Sequence, residues 1–261
     1  MIVVKFGGHA MKDENGNFAK AILAALDSGE KVVVVHGGGP QIDAALKAKQ
    51  IECNWIGGFR VTTQEIFDVV EEVLVNQVGN EVASTLAKSG IKAKAISARE
   101  LPTVIARRRT TLIDGTPADL GLVGEVQSVN PSQLLELLDS GIVPVVAPIS
   151  SDEDLVTGLN VNADFAASAI AAALGASALI VMTDVAGIYR NWPDKNSLID
   201  VIGAEELESI KGGFAEGMAP KVQAALDALS FGAKAVRIID GTDPHSFASA
   251  LAGTGGTLVV A

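Results

Sequence analysis

The sequence predicts an α/β protein, a three-layer α/β/α sandwich around a mostly parallel central sheet with an inserted β-meander. Three observations carry this. Short β-branched runs alternate with helical patterns from the first residues onward. The run Val32-Val-Val-Val-His36 has the unbroken apolarity of a strand buried on both faces, and Gly37, Gly38, Gly39 and Pro40 turn it directly into a helix. Hydrophobic residues make up 48% of the chain and aromatics only 4%, a core of Ala, Val, Ile and Leu. At 261 residues the chain has room for one large domain or two lobes. The expected boundary is near 148–158, giving lobes 1–150 and 151–261 that share one sheet.

The elements follow in order. Ile2 to Phe6 is a strand interrupted by Lys5 and ended by Gly7 and Gly8; Phe18, Ile22, Leu23 and Leu26 then fall at helical spacing, with Gly29 as the stop. The Val32 strand and a helix to about Lys49 complete β-α-β-α, and residues 51–60 read as a loop. Thr62 or Thr63 caps a helix over 63–88, whose Ile66, Val69, Val70, Val73, Leu74, Val78, Val82 and Leu86 recur at steps of mostly three or four. Val75 adds apolar surface, so this helix either covers the sheet or forms a subunit interface. After a strand near 92–97, the period changes to two between Pro102 and Val129, with Asp114-Gly115 as a hairpin signal, which predicts the meander. Asn130 and Pro131 open a helix to Gly141, and residues 143–147 return to a parallel strand. An alanine-rich helix to Gly175, a strand over 178–182, a polar loop over 189–200, helices from Ala204 and Pro220, a strand over 235–240, a short helix after Pro244 and a last strand over 257–260 complete the chain.

Charge excludes several classes of function. A net charge of −11 disfavours nucleic acid and anionic membrane surfaces. The run Arg107-Arg108-Arg109 is too short to reverse this and reads as a solvated strand face. The single cysteine, Cys53, cannot form an intrachain disulfide and reads as a packed residue. With no secretory pattern and no apolar run near the ~18 residues of a membrane span, a soluble cytoplasmic protein is expected.

The strand carboxyl ends, where open α/β sheets bind ligands, carry Lys5, Gly7 and Gly8; His36 with its three glycines; Pro148 to Ser150; and Thr183 with Asp184. That set suits anions better than nucleophilic or metal-ligand chemistry, since bare amides and a helix N-terminus attract negative charge. A ligand-free glycine turn is the other reading of Gly37–Gly39. Two standard phosphate motifs fail: the dinucleotide fingerprint would need glycine where Ile42 stands, and the Walker pattern would need lysine where Met218 stands. Lys5 reads as an anion ligand or as a snorkelling edge lysine. Lys221 stands at a helix N-terminus, where the dipole disfavours a cation unless an anion lies beside it. Asp164 is either functional or an ordinary cap, and His36 reads as a core histidine.

Seven segments, in order over nearly the whole chain, resemble the amino acid kinase family: Val4-Lys-Phe-Gly-Gly8, Val35-His-Gly-Gly-Gly-Pro-Gln-Ile42, Gly58-Phe-Arg-Val-Thr62, Gly124-Glu-Val126 with Val129-Asn-Pro131, Asn160-Val-Asn-Ala-Asp164, Thr183-Asp-Val-Ala-Gly187 and Gly217-Met-Ala-Pro-Lys221. The third, fifth and seventh are similar to the branch that acts on N-acetyl-L-glutamate. The resemblance implies transfer of the ATP γ-phosphoryl group to the side-chain carboxylate of that substrate, giving the acyl phosphate and ADP, early in arginine biosynthesis. It implies catalytic roles for Lys5, Lys221 and Asp164, acceptor binding by Gly38, Gly39, Arg60 and Asn160, and ATP binding by Gly7, Gly8, Asp184, Val185, Ala186, Gly187, Ile188, Tyr189, Gly213, Phe214 and Ala215. The N-terminal lobe would bind the acyl amino acid and dimerise, and the C-terminal lobe would bind ATP. Mg²⁺ would travel with ATP, without a dedicated protein metal site. An acetylated or carrier-linked aminoadipate is the alternative acceptor, and a non-catalytic nucleotide-binding regulator the alternative class. Ser97-Ala-Arg-Glu100 departs from the Ser-Gly-Lys-Asp-Gly run of many relatives, which puts the contacts of that loop in doubt. Arginine-inhibited relatives carry an extra N-terminal helix that links dimers into a ring; this chain starts at its first strand, so a simple homodimer through the 63–88 helix is expected.

Overall fold

A computed structural model describes residues 1–7, 16–100, 102–214 and 218–261. In chain order, β1 (Ile2–Phe6) leads to α1 (Asn17–Asp27), β2 (Val32–His36) and α2 (Gly39–Ala48). A hairpin of β3 (Trp55–Ile56) and β4 (Phe59–Arg60) precedes a long helix, built from α3 (Gln64–Glu71), a π-helical stretch (Glu72–Val78) and α4 (Gly79–Lys88). Next come β5 (Ala93–Ser97), β6 (Val104–Arg108), β7 (Val123–Val129), α5 (Ser132–Asp139), β8 (Val143–Ala147), β9 (Ile149–Ser151) and β10 (Gly158–Val161). The remaining elements are α6 (Ala163–Ala173), β11 (Ala178–Thr183), β12 (Val201–Gly203), α7 (Ala204–Ile210), α8 (Ala219–Ser230), β13 (Ala235–Asp240), α9 (Ser246–Leu251) and β14 (Thr257–Val260).

The main sheet has eight strands in the order β12-β14-β13-β11-β1-β2-β8-β5, and its one antiparallel pair is β13 with β14. Every residue of β1, β2 and β8 is buried, as strands covered on both faces require. Strands from both halves of the chain meet where β1 pairs with β11. The three-residue edge strand β12, between the expected polar loop and the helix from Ala204, is too short to leave a sequence period.

The expected meander is instead a closed four-stranded barrel, β10-β7-β6-β9. β6 and β7 do form the antiparallel pair, but Thr111 contributes only a bridge to Pro117 and no third strand. An isolated hairpin cannot cover its own apolar face. Here β9 and β10 cover it, burying Ile149 and Leu159 against Val104, Ala106 and Val161. The stretch 148–158, expected to mark the lobe boundary, therefore carries β9 and the first residue of β10. Residues 51–60 also differ from expectation: Gly57 (φ 54°) and Gly58 (φ 82°) turn β3 into β4.

The long helix begins where Thr63 Oγ1 accepts the Ile66 amide (3.3 Å). Its π-helical stretch was not foreseen. It seats Leu74 and Val78 against Gly38, where an added Cβ would lie 2.6 Å from Leu74 Cδ2 and 3.3 Å from Val78 Cγ2. The glycine turn of the site and this helix are thus one packing unit.

Candidate active site

Lys5 lies at the carboxyl end of β1, in register with Val35 and Val181 on its two neighbours. The start of α6 comes to it from the far end of β10. The Asn162 side chain caps α6 by accepting the Asp164 amide (2.7 Å), so Asp164 itself is released from capping. Its carboxylate instead joins two lysines: Oδ1 lies 3.2 Å from Lys5 Nζ, and Oδ2 accepts from Lys221 Nζ at 3.1 Å. Burial alone would raise the Asp164 pKa, but Lys5 and Lys221 outweigh it and hold it at about 2. One carboxylate therefore neutralises half the charge of two lysines, Lys5 buried and Lys221 partly exposed. The uncompensated positive charge is what an anionic group would meet.

A cavity of about 270 Å³ opens beside this triad, lined by Lys5, Gly37–Gly39, Arg60, Asn160, Asp164 and Lys221 among others. Arg60 is buried at the end of β4, and its Nη2 lies 2.8 Å from Asp43 Oδ1 on α2. The guanidinium also stacks at 4.5 Å on the Trp55 ring and donates to Cys53 Sγ (3.5 Å). The orientation of the planar guanidinium is fixed by these three contacts. Asn160 Nδ2 donates to Thr62 Oγ1 (3.1 Å), whose hydroxyl donates to the Arg60 carbonyl (2.7 Å), tying β10 to the hairpin.

The glycines divide by what excludes a side chain. Gly38 is closed off by protein, as described above. An added Cβ at Gly39 would meet nothing within 4 Å, so no protein atom crowds that position. His36 is a core residue as expected. Its Nδ1 lies 2.9 Å from the Gly37 carbonyl oxygen, which can only accept, so Nδ1 carries the proton; burial lowers its pKa to about 4 despite that bond. Its Nε2 is buried without a partner among the described residues, beside Gly79.

A second cavity, about 870 Å³, lies on the other side of Lys221. Thr183, Asp184, Val185, Tyr189, Gly213, Phe214 and Lys221 line it, together with Arg190, Asn191, Trp192, Ile210 and Met218. Thr183 Oγ1 accepts the Val185 amide (3.0 Å), folding the end of β11 around the cavity. Ala186, Gly187 and Ile188 do not line it. Ile188 is fully buried and its amide donates to Thr257 Oγ1 (2.8 Å), while an added Cβ at Gly187 would clash with Thr257. Gly7 lies next to Lys5, where an added Cβ would come 3.2 Å from Nζ. Gly8 and Ala215 lie outside the described residues.

Sequence reasoning passed over Trp55, Asp43, Asn162 and the Asn191-Trp192 wall. The indole of Trp192 packs edge-on to Tyr189 (5.2 Å), a contact no linear pattern reveals. Asn162 had a visible signal, two residues before the acid at a helix start. In the departing loop, Arg99 ties α3 to the β9–β10 connection through Glu71 (2.7 Å) and the Val156 carbonyl (2.7 Å). Arg109, expected to be solvated with Arg107 and Arg108, is half-buried against Phe59 and Phe165.

Two cavities, one large and one small, share Lys221 at the carboxyl ends of a parallel sheet, with the buried Lys5 beside the smaller one, the arrangement of an enzyme that moves an anionic group between two small molecules: a kinase. The amino acid kinase family model matches residues 1–240. Acetylglutamate kinase of Beutenbergia cavernae is 46% identical over 249 residues, covering 94% of this chain and 80% of that protein. The acetylglutamate kinase of Saccharopolyspora erythraea is 45% identical, covering 97% and 86%. Among solved structures, smu.665 from Streptococcus mutans superposes with a TM-score of 0.83 at 28% identity, covering 99% of this chain and 98% of that one. Carbamate kinase from Giardia lamblia, bound to AMP-PNP, shares the fold with a TM-score of 0.69 at 19% identity, covering 99% and 97%. The chain belongs to the amino acid kinase family.

Proposed function

We propose that this enzyme transfers the γ-phosphoryl group of ATP to the side-chain carboxylate of N-acetyl-L-glutamate, giving N-acetyl-L-glutamyl 5-phosphate and ADP, an early step of arginine biosynthesis. The observation that carries the reading is Lys221, which lines both the larger and the smaller cavity while held by Asp164. ATP would occupy the larger cavity, with Asp184, Val185, Tyr189, Gly213 and Phe214 around the nucleoside. N-acetyl-L-glutamate would occupy the smaller one, with a carboxylate on Arg60, the amino-acid end at Asn160, and the reacting carboxylate against the amides of Gly38 and Gly39. The acceptor rests on the similarity to acetylglutamate kinases; the pocket alone would not separate it from an aminoadipate one methylene longer.

Both reactants are anions, so the protein's task is alignment and neutralisation. Lys5 and Lys221 would meet the charge on the transferring group from two sides. A unit charge pair at ~4 Å is worth about 4 kcal/mol at an effective dielectric of 20, so two lysines supply a large part of the barrier reduction. Asp164 touches the lysines and fixes the spacing between them. Among the described residues no three His, Cys, Asp or Glu side chains gather as metal ligands. Asp164 is committed to its lysines, which fits a Mg²⁺ held by the phosphates and water. Its chemistry would be to neutralise phosphate oxygens.

The N-terminal lobe would hold the acceptor and the C-terminal lobe ATP, in a cytoplasmic homodimer joined through the long helix. Among the described residues no helix is long and apolar enough to cross a membrane. The deciding experiment measures ADP release with N-acetyl-L-glutamate, free glutamate, aspartate, carbamate, UMP and N-acetyl-aminoadipate. N-acetyl-L-glutamate should turn over fastest, and turnover confined to another acceptor refutes the assignment. Light scattering should give twice the protomer mass.

A further inference from the structure

Arg109 was expected to be solvated and is not. Its guanidinium carbon lies 4.7 Å from the Phe59 ring centroid and 5.4 Å from that of Phe165. Those two rings are 15° from parallel with centroids 6.3 Å apart, so the cation straddles both faces at once. Its Nε is buried and meets no acceptor among the described residues, and the two ring faces are its close contacts there. Burial works against its charge and lowers its pKa, and Glu125 on β7 and Asp227 on α8 only partly offset this. The backbone beneath is fixed, because the Arg109 amide donates to the Val123 carbonyl (2.8 Å) on β7. What the rings are attached to gives the contact its meaning. Phe59 precedes Arg60 on β4, and Phe165 follows Asp164 on α6. A cation–π contact desolvated on one face adds a link between this two-residue strand and α6 that the Asp43, Cys53 and Asn160 contacts described above do not make.

We infer that Arg109 is a positioning residue for the acceptor side of the site: by stacking on Phe59 and Phe165 it locks the β3–β4 hairpin, and with it Arg60, against the start of α6. The inference rests on the reading that Arg60 binds the acceptor. Arg109 lines neither the larger nor the smaller cavity of the site, but a third one along α6.

The test compares Arg109→Met, which keeps the aliphatic packing and removes the cation, with Arg109→Lys, which keeps a cation. Arg109→Met should raise the KM for N-acetyl-L-glutamate about tenfold, with the KM for ATP unchanged, and Arg109→Lys should recover part of that loss. A parallel rise in both KM values, or a lysine variant no better than methionine, overturns the inference. Should Arg109→Met fail to fold, Phe165→Leu removes one of the two rings and should move the same KM in the same direction; no change there also overturns it. A readout independent of turnover separates this from a wrong acceptor. Hydrogen exchange at residues 55–60 should speed up in Arg109→Met while residues 183–189 stay as in the parent, whatever the substrate proves to be, and unchanged exchange at 55–60 refutes the lock.

Discussion

Replacing Asp164 by asparagine keeps the shape of the side chain and removes the charge that holds Lys5 and Lys221 together. The depression of its pKa from 3.8 to about 2 corresponds to about 2 kcal/mol in favour of the ionised, folded form. That contribution is whole above pH 3.8 and is lost as pH falls toward 2, because the unfolded carboxylate takes up its proton first. The substitution should cost more than this at pH 7. It strands Lys5, whose side chain is only 9% exposed, without its counter-ion, and breaking such a pair costs about 3–5 kcal/mol. Urea unfolding of Asp164→Asn, Lys5→Met and the double variant closes a cycle. The double variant should be more stable than the sum of the single losses predicts, by about 1–3 kcal/mol. Additivity within about 0.5 kcal/mol would refute the claim that these groups act as one unit. In parallel, kcat of Asp164→Asn should fall at least about a hundredfold through lost alignment, and near-parent turnover would remove Asp164 from the site.

Two further expectations follow from neighbouring residues. His36 is buried neutral with a pKa of about 4, so the unfolded chain binds its proton first and acid favours unfolding; stability should fall by about 3 kcal/mol between pH 6.5 and 4, and His36→Asn should flatten that limb of the pH–stability curve. Parallel curves for parent and variant would exclude His36 as the source. The glycine pair should separate structure from binding: Gly38→Ala drives a methyl into Leu74 and Val78 and should destabilise by about 1–3 kcal/mol, whereas Gly39→Ala, with open space around it, should leave the urea midpoint within about 0.5 kcal/mol and raise the KM for the acceptor. Equal destabilisation by both would show that the two positions are packed alike.

What the sequence revealed follows from the range over which its signals act. The Val32–His36 strand and its glycine turn are local: apolar run, glycine, proline and helix all sit within a few residues, and the structure matches them closely. Lys5 and Lys221 were legible because each stands at an odd place for its charge, Asp164 read equally as a cap, and the family resemblance joined the three. The barrel was not legible as a barrel. β6 and β7 carry the period of two, but the strands that close them, β9 and β10, are three and four residues long and lie beyond α5 and β8. Arg109 was misread for a similar reason. Nothing within its own segment distinguishes it from Arg107 and Arg108, and its rings come from residues 59 and 165.

The position of β1 has a consequence for how the molecule is made. β1 pairs with β2 on one side and with β11 on the other, and β11 begins at Ala178. During synthesis β1 emerges well before β11, so one of its edges waits through all the elements between them before its neighbour exists. An apolar strand edge left open that long invites pairing with other chains. Contacts of such long sequence separation also slow folding, because the loop must close before the contact repays it. Lys5, at the end of that strand, meets Asp164 and Lys221 only after this closure. The Lys5–Asp164–Lys221 cluster is therefore assembled only after β11 has docked, and an anion bound there would select chains whose sheet is complete.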